Sequence, residues 1–236
     1  MNDKMIDIND AKNMLADLKN MSSSFKHYKA NQNRIEQSIL GFSDYESDEE
    51  TLVDDRYDYI VLDLETTTYK EIIQVAYTIY DGSFKKIKHV DVLMNEGIGK
   101  IDHYKKFTLD DIFTYGKDPV DILLDLVDDM QMCKYLVCHN IAFDAGLIYK
   151  YLLKYNIQIT NKPKNICTMS LSRKFCNKKD KRGWLKAPTL SELHHKCFNE
   201  YPDETKTHSA DYDIAITKRC FQYLIINNII NLNKIK

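Results

Sequence analysis

No apolar run in this chain approaches the roughly 20 residues that a membrane-spanning helix needs. The N-terminus also lacks the charged-then-apolar pattern of a secretory signal. These two absences predict a protein that works in the cytoplasm without a membrane. None of the six cysteines (Cys133, Cys138, Cys167, Cys176, Cys197 and Cys220) forms a C-x-x-C pair, which argues against redox dithiols and zinc ribbons. They read as reduced thiols, mostly buried. No internal repeat is visible. Arginine is scarce beside lysine, a compositional bias that says nothing about chemistry.

What is present is an ordinary globular composition over 236 residues, enough for one domain with extensions. The net charge of −2 hides an asymmetry. Residues 1–57 hold 7 Lys/Arg and 12 Asp/Glu, whereas residues 58–236 hold 26 and 23. The second part therefore carries a positive excess, the sign that suits nucleic acid.

The chain divides by composition. Residues 1–42 are polar, with Met14, Leu15 and Leu18 and later Ile35 and Ile39 at helical spacing. Residues 43–57 are dense in acid and read as a solvated linker. A folded domain is expected over 58–226, followed by a tail at 227–236.

Within that domain, DYIVLDLE (58–65) has the continuous apolar core of a central strand. EIIQVAYTIYD (71–81) and FKKIKHVDVLM (84–94) read as two more strands, with Asp81-Gly82 as the turn signal between them. Asp118-Pro119 predicts a helix start with an N-cap and a proline in the first turn. YLVCH (135–139) is a fourth strand, followed by a helix from Ile141. Thr189-x-x-Glu192 is a capping box, and Ser209 can cap a last long helix. Short links require antiparallel neighbours and helical crossovers permit parallel ones, so the expected sheet is mixed.

Three short elements carry chemistry. Asp63 and Glu65, two apart on a strand, put both carboxylates on one face. Such a pair at the end of an apolar strand is costly unless paired, and bound cations would pair it; the plainer alternative is two solvated acids where the strand emerges. In LVCHNIAFDAGLI (136–148), Asp144 falls in the first turn of a helix, where an acid also suits the helix dipole. In THSADYDIAIT (207–217), His208 precedes a helix and Asp213 lies in its first turns. A histidine there can equally be structural, and Asp211 is expected to point elsewhere.

Taken together, V-L-D-L-E-T-T, V-C-H-N-x-x-F-D and H-S-A-D-Y-D resemble, in order and spacing, the three motifs of the DEDD exonucleases of the histidine-containing subgroup. The resemblance covers about 58–226 and is nearest to the proofreading subunits and domains of bacterial replicative polymerases. IIQVAYTIYD and CTMSLSRKF also look like the family. The link after E-T-T is unusually short, and residues 173–187 and 1–57 have no evident counterpart.

The resemblance implies a ribonuclease-H-like fold, an α/β domain with a mixed five-stranded sheet flanked by helices. It implies a 3′→5′ exonuclease that releases nucleoside monophosphates from single-stranded or frayed 3′ ends, with DNA favoured over RNA. It implies two Mg²⁺ or Mn²⁺ ions held by Asp63, Glu65, Asp144 and Asp213, a donor set that hard cations prefer. Asp63 would bridge the two ions. His208 would be the general base, since an imidazole titrates near ~6.5. Thr66 and Asn140 would contact the terminal nucleotide. An RNA 3′ exonuclease or an oligoribonucleotide-degrading enzyme is the alternative within the class, and a non-catalytic nucleic-acid-binding module the alternative outside it. A polymerase or another replication or repair protein is the partner that the N-terminal extension would serve.

Two further features stand apart from the motifs. RKFCNKKDKRGWLK (173–186) combines basic residues with Phe175 and Trp184, a mixture suited to single-stranded nucleic acid. The plainer reading is a solvated loop with Trp184 tucked onto the domain. His194, His195 and Cys197, with Cys167 or Cys176, fit no common zinc spacing.

Overall fold

The computed structural model of the protein describes residues 56–101, 106–206 and 209–235. The expected polar extension and all but the last two residues of the acidic linker lie outside them, as do His208 and Lys236.

Five strands form one sheet: β1 (Tyr57–Thr66), β2 (Ile72–Tyr80), β3 (Lys86–Leu93), β4 (Cys133–Cys138) and β5 (Lys164–Cys167). Their order is β3-β2-β1-β4-β5, so the strand bearing Asp63 and Glu65 is central. The β1–β2 and β2–β3 pairs are antiparallel, and β1–β4 and β4–β5 are parallel. The fold is thus the mixed, helix-flanked five-stranded sheet that the chain's order of short and helical links requires. β5 has only four residues, one of them buried, and its sequence gives no period to read.

The helices are α1 (Leu109–Tyr115), α2 (Pro119–Gln131), α3 (Ile141–Lys154), α4 (Thr168–Leu171), α5 (Arg173–Cys176), α6 (Leu190–Phe198) and α7 (Ala210–Ile226). Two of the expected caps form in full. Asp118 accepts from the backbone N–H of Val120 with Pro119 in the first turn, and Thr189 and Glu192 cap α6 reciprocally. Ser209 occupies the N-cap of α7 but its side chain makes no capping bond, so that expectation is corrected. The β2–β3 turn closes on Asp81, whose carboxylate accepts from the backbone of Ser83 and Lys85. Phe84 rather than Gly82 takes the left-handed conformation there, at φ 64°. Phe84 stacks on Tyr59 at 4.8 Å, which offsets the strain of a bulky residue in that region.

The sheet separates two apolar layers. Ile60, Leu62 and Leu64 pack with α2 and α3 on one face, through Leu123, Leu126 and Ile148. Tyr59 and Val61 pack with α6 and α7 on the other, through Leu193, Ile214 and Phe221. Strand alternation therefore sends Asp63 and Glu65 to the α7 face. The residues after α7, read as a tail, pack back on this layer: Ile230 is buried, and Ile229, Leu232 and Ile235 lie against it.

Candidate active site

β1 outlasts its parallel neighbour. β4 pairs with it only as far as Val61↔Val137, and β4 ends at Cys138. Beyond Val61 the β1 backbone needs other partners on that side. The Cys138 thiol meets the backbone of Leu62, and the Asp144 carboxylate meets the backbone of Leu64. The gap at the end of the sheet is thus filled by the start of α3, which carries Asp144. A register irregularity follows between Glu65 and Thr66, a bulge of the kind that re-aims side chains near active sites. The short link to β2 is closed by Thr67, whose hydroxyl donates to Glu71, while Lys70 takes a φ of 64°.

Asp63, Glu65 and Asp213 come together here, with one oxygen from each within 4.8 Å of the others. Asp213 is delivered by α7, which packs on β1 and β2. It shares a helix face with the buried Ala210 and Thr217, three and four residues away, and so points at the sheet. Ala76, fully buried, is the β2 residue opposite Asp63.

The motif pattern expects four acids in one pocket, and the 4.8 Å grouping holds three of them, with Asp144 next to it. Asp144 lies beside Glu65, whose charge acts on it, and it is 4% exposed. Burial pushes its carboxyl up to about 7, against the downward pull of backbone hydrogen bonds from its own N–H and from Leu64. Burial also holds the neighbouring Cys138 thiol well above its usual range, with Asp144 and Asp63 adding to the shift.

The remaining predicted residues divide. Thr66 is half-buried beside the bulge. Asn140 is exposed at the N-cap of α3, and its side chain makes no capping bond. Trp184 is 72% exposed, not tucked onto the domain. Asp211 points away from the trio toward His89, 3.4 Å from its Nε2. His208 lies outside the described residues. Of the histidines in the zinc alternative, the His194 Nδ1 meets the Glu200 carbonyl, while the ring of His195 stacks on Tyr201.

Two residues near the site were not singled out from sequence. Gln74 sits opposite Glu65 on β2, buried, with its amide nitrogen donating to Asp91 at 2.6 Å and its amide oxygen without a partner among the described residues. An amide side chain inside the apolar start of IIQVAYTIY was the available signal. His139 is the other. Its ring nitrogens lie 3.0 Å from the Thr168 hydroxyl and 3.1 Å from the Pro188 carbonyl, which joins the end of β4 to both ends of the 168–188 segment. The H-N-x-x-F-D pattern pointed to the aspartate and left this histidine without a role.

Such a trio has the chemistry of a hard-cation site. Its donors are all carboxylate oxygens, which hard cations prefer, and a bound cation would offset the repulsion among three like charges. The exonuclease family model RNase_T matches residues 60–221. No curated protein matches the chain in sequence. Among solved structures, the nuclease domain of 3′hExo, a DEDDh family member bound to rAMP, is 13% identical with a TM-score of 0.59, covering 80% of this chain and 100% of that one. E. coli Exonuclease I in complex with a dA16 oligonucleotide is 13% identical with a TM-score of 0.55, covering 75% and 46%. A chain in the structure of the yeast NOT1 MIF4G domain co-crystallised with CAF1 is matched at 12% identity and a TM-score of 0.54, covering 77% and 84%. At such identities these structures share the fold, whereas the family model spans more than half of the chain, and on that match the chain belongs to the RNase_T exonuclease family.

Proposed function

We propose that this exonuclease works in the 3′→5′ direction on single-stranded or frayed ends, with DNA favoured, and needs two Mg²⁺ or Mn²⁺ ions. The observation that carries the reading is the meeting of Asp63, Glu65 and Asp213 within 4.8 Å, at the end of the central strand of an exonuclease-family chain. These three carboxylates would hold the cations, with Asp144 beside Glu65 completing the set. When bound, the ions supply charge neutralisation at phosphorus and activation of the attacking water.

The chain's own residues do the rest. His208, five residues before Asp213, takes the proton from the attacking water. The new P–O bond forms as the bond from phosphorus to the 3′ oxygen of the penultimate nucleotide breaks. A nucleoside 5′-monophosphate leaves, and the 3′ oxygen of the shortened strand takes a proton from solvent to become a hydroxyl. Thr66 and the exposed side chain of Asn140 orient the terminal nucleotide. The preference for DNA rests on the motif resemblance to proofreading domains, and that resemblance also makes a polymerase the natural partner of the N-terminal extension.

RNA is the second reading, favoured by the rAMP bound to 3′hExo. Matched DNA and RNA oligomers with one sequence decide between the two. A higher kcat/KM on DNA supports the proposal. A tenfold preference for RNA replaces it with RNA trimming or turnover.

A further inference from the structure

Within residues 173–187, which the resemblance leaves without a counterpart, 178–186 form a built element. Lys179 and Leu185 pair as an antiparallel bridge, and the backbone N–H of Lys186 donates to the Lys178 carbonyl at 2.9 Å. The turn between them is held by Asp180, whose carboxylate accepts from the N–H groups of Arg182 and Trp184 at 2.9 Å each, with Gly183 at φ 83°. Lys186 and Lys178 both reach Glu192 of α6, which fixes the base of the hairpin.

Against α4 and α5 this hairpin leaves an open cleft of about 770 Å³, lined by Leu171, Arg173, Lys174, Trp184 and Leu185 among others. Trp184 presents its ring to solvent, which costs the protein a large apolar area without a covering partner. Around it, Arg173, Lys174, Lys179, Lys181 and Arg182 are exposed and have no ion-pair partner among the described residues. The single acid in the turn, Asp180, is turned inward to the backbone.

The segment that builds the cleft is tied to the ends of the strands beside the active site. β1, β4 and β5 are parallel, so their C-terminal ends share one edge of the sheet, the edge of Asp63 and Glu65. α4 begins directly after β5, and His139 at the end of β4 holds both Thr168 and Pro188.

We propose that this cleft is a second nucleic-acid subsite, in which Trp184 stacks on a base and the surrounding lysines and arginines meet phosphates of the strand on the 5′ side of the scissile bond. The direction rests on the 3′→5′ reading above: the 3′ terminal nucleotide ends at the carboxylates, so any further contact falls on the strand leading away from them. Stacking is indifferent to sequence, since each base has a π face, and a hairpin already fixed by Asp180 and Glu192 loses little freedom on binding. The subsite would lower KM for long strands and leave dinucleotides and trinucleotides unaided.

Trp184 is the only tryptophan in the chain, which gives a direct readout. The full chain is titrated in EDTA with single-stranded DNA and RNA oligomers of about 12 nucleotides, inside the ~4–16 nucleotide range of single-strand sites. The proposal expects saturable quenching of Trp184 emission by both, weakening steeply with added salt. Because no turnover is needed, this holds or fails separately from the exonuclease reading. In steady-state assays, Trp184→Ala should raise KM for the long oligomer about 5- to 100-fold, so that the advantage of long over trinucleotide substrates is lost, and Trp184→Phe should retain most of it. Lys181→Glu with Arg182→Glu should flatten the salt dependence. Absence of quenching, equal quenching by polyglutamate, or an unchanged length dependence in Trp184→Ala each overturns the proposal; the polyglutamate result would assign the surface to an acidic protein instead.

Discussion

The Nε2 of His139 lies 3.1 Å from the carbonyl oxygen of Pro188, and because a carbonyl only accepts, that nitrogen carries the proton. In the neutral ring, Nδ1 then accepts from Thr168. Burial lowers the His139 pKa to about 4, against the upward pull of the Pro188 bond. The folded state therefore binds fewer protons than the unfolded one between about pH 6.5 and 4, and the stabilisation from neutral His139 is complete above that window and lost as pH falls through it. With Mg²⁺ present, lowering the pH from 7 to 5 should cost about 1–3 kcal/mol through this group. His139→Gln keeps the donor to Pro188 and removes the titration. It should be less stable at pH 7 by about 1 kcal/mol and flatter across the window. Denaturant melts at the two pH values check this, and parallel pH dependence in both proteins would contradict it.

Asp144 shifts the other way. Its buried carboxyl, raised to about 7, binds a proton more readily folded than unfolded. Without metal, ionising it costs stability as pH rises from about 4 to 7, and the cost is complete above 7. Metal-free Asp144→Asn should therefore melt a few degrees above the metal-free parent at pH 8, since ~1 kcal/mol moves Tm by about 2–4 °C at this size. Saturating Mg²⁺ should narrow or reverse the difference. A metal-free variant that melts lower at pH 8 would show that the charged form is already well compensated.

Strong local signals were legible in the sequence. The apolar run ending in Asp63 and Glu65 became the central strand, and Asp118-Pro119 and Thr189-x-x-Glu192 became helix starts through the hydrogen bonds their residue types imply. What escaped was short or set by tertiary contact. α4 and α5 have four residues each and show no period, and the 178–186 hairpin is held by Asp180 and Glu192 rather than by alternation. The candidate site was legible as residue types at motif spacing. That Asp144 stands beside the trio could not be read, because its place depends on where β4 stops relative to β1.

The N-terminal residues should be dispensable for chemistry. A compact unit spans Asp55–Lys236 and its first strand starts at Tyr57, so the core seen among the described residues belongs to that unit. A chain beginning near Glu50 should be soluble and keep most of its activity on short oligonucleotides. Insoluble protein on truncation would contradict this.

His208 is assigned the proton transfer. Its replacement by alanine should lower kcat about 10²–10⁴-fold, the usual range for a lost general base, and leave metal affinity nearly unchanged. The acidic limb of the pH–rate profile should weaken as well. Single-turnover rates on folded protein check the assignment, and a variant within threefold of the parent removes His208 from the mechanism.

The central claim is that Asp63, Glu65 and Asp213 gather the cations on which 3′→5′ hydrolysis depends, and the digestion of a 5′-labelled single-stranded oligonucleotide tests it most directly. With Mg²⁺ or Mn²⁺ the label should step down one nucleotide at a time from the 3′ end. With EDTA, or in folded Asp63→Asn protein supplied with metal, the full-length strand should persist. Undiminished degradation in EDTA, or by Asp63→Asn, would contradict the account.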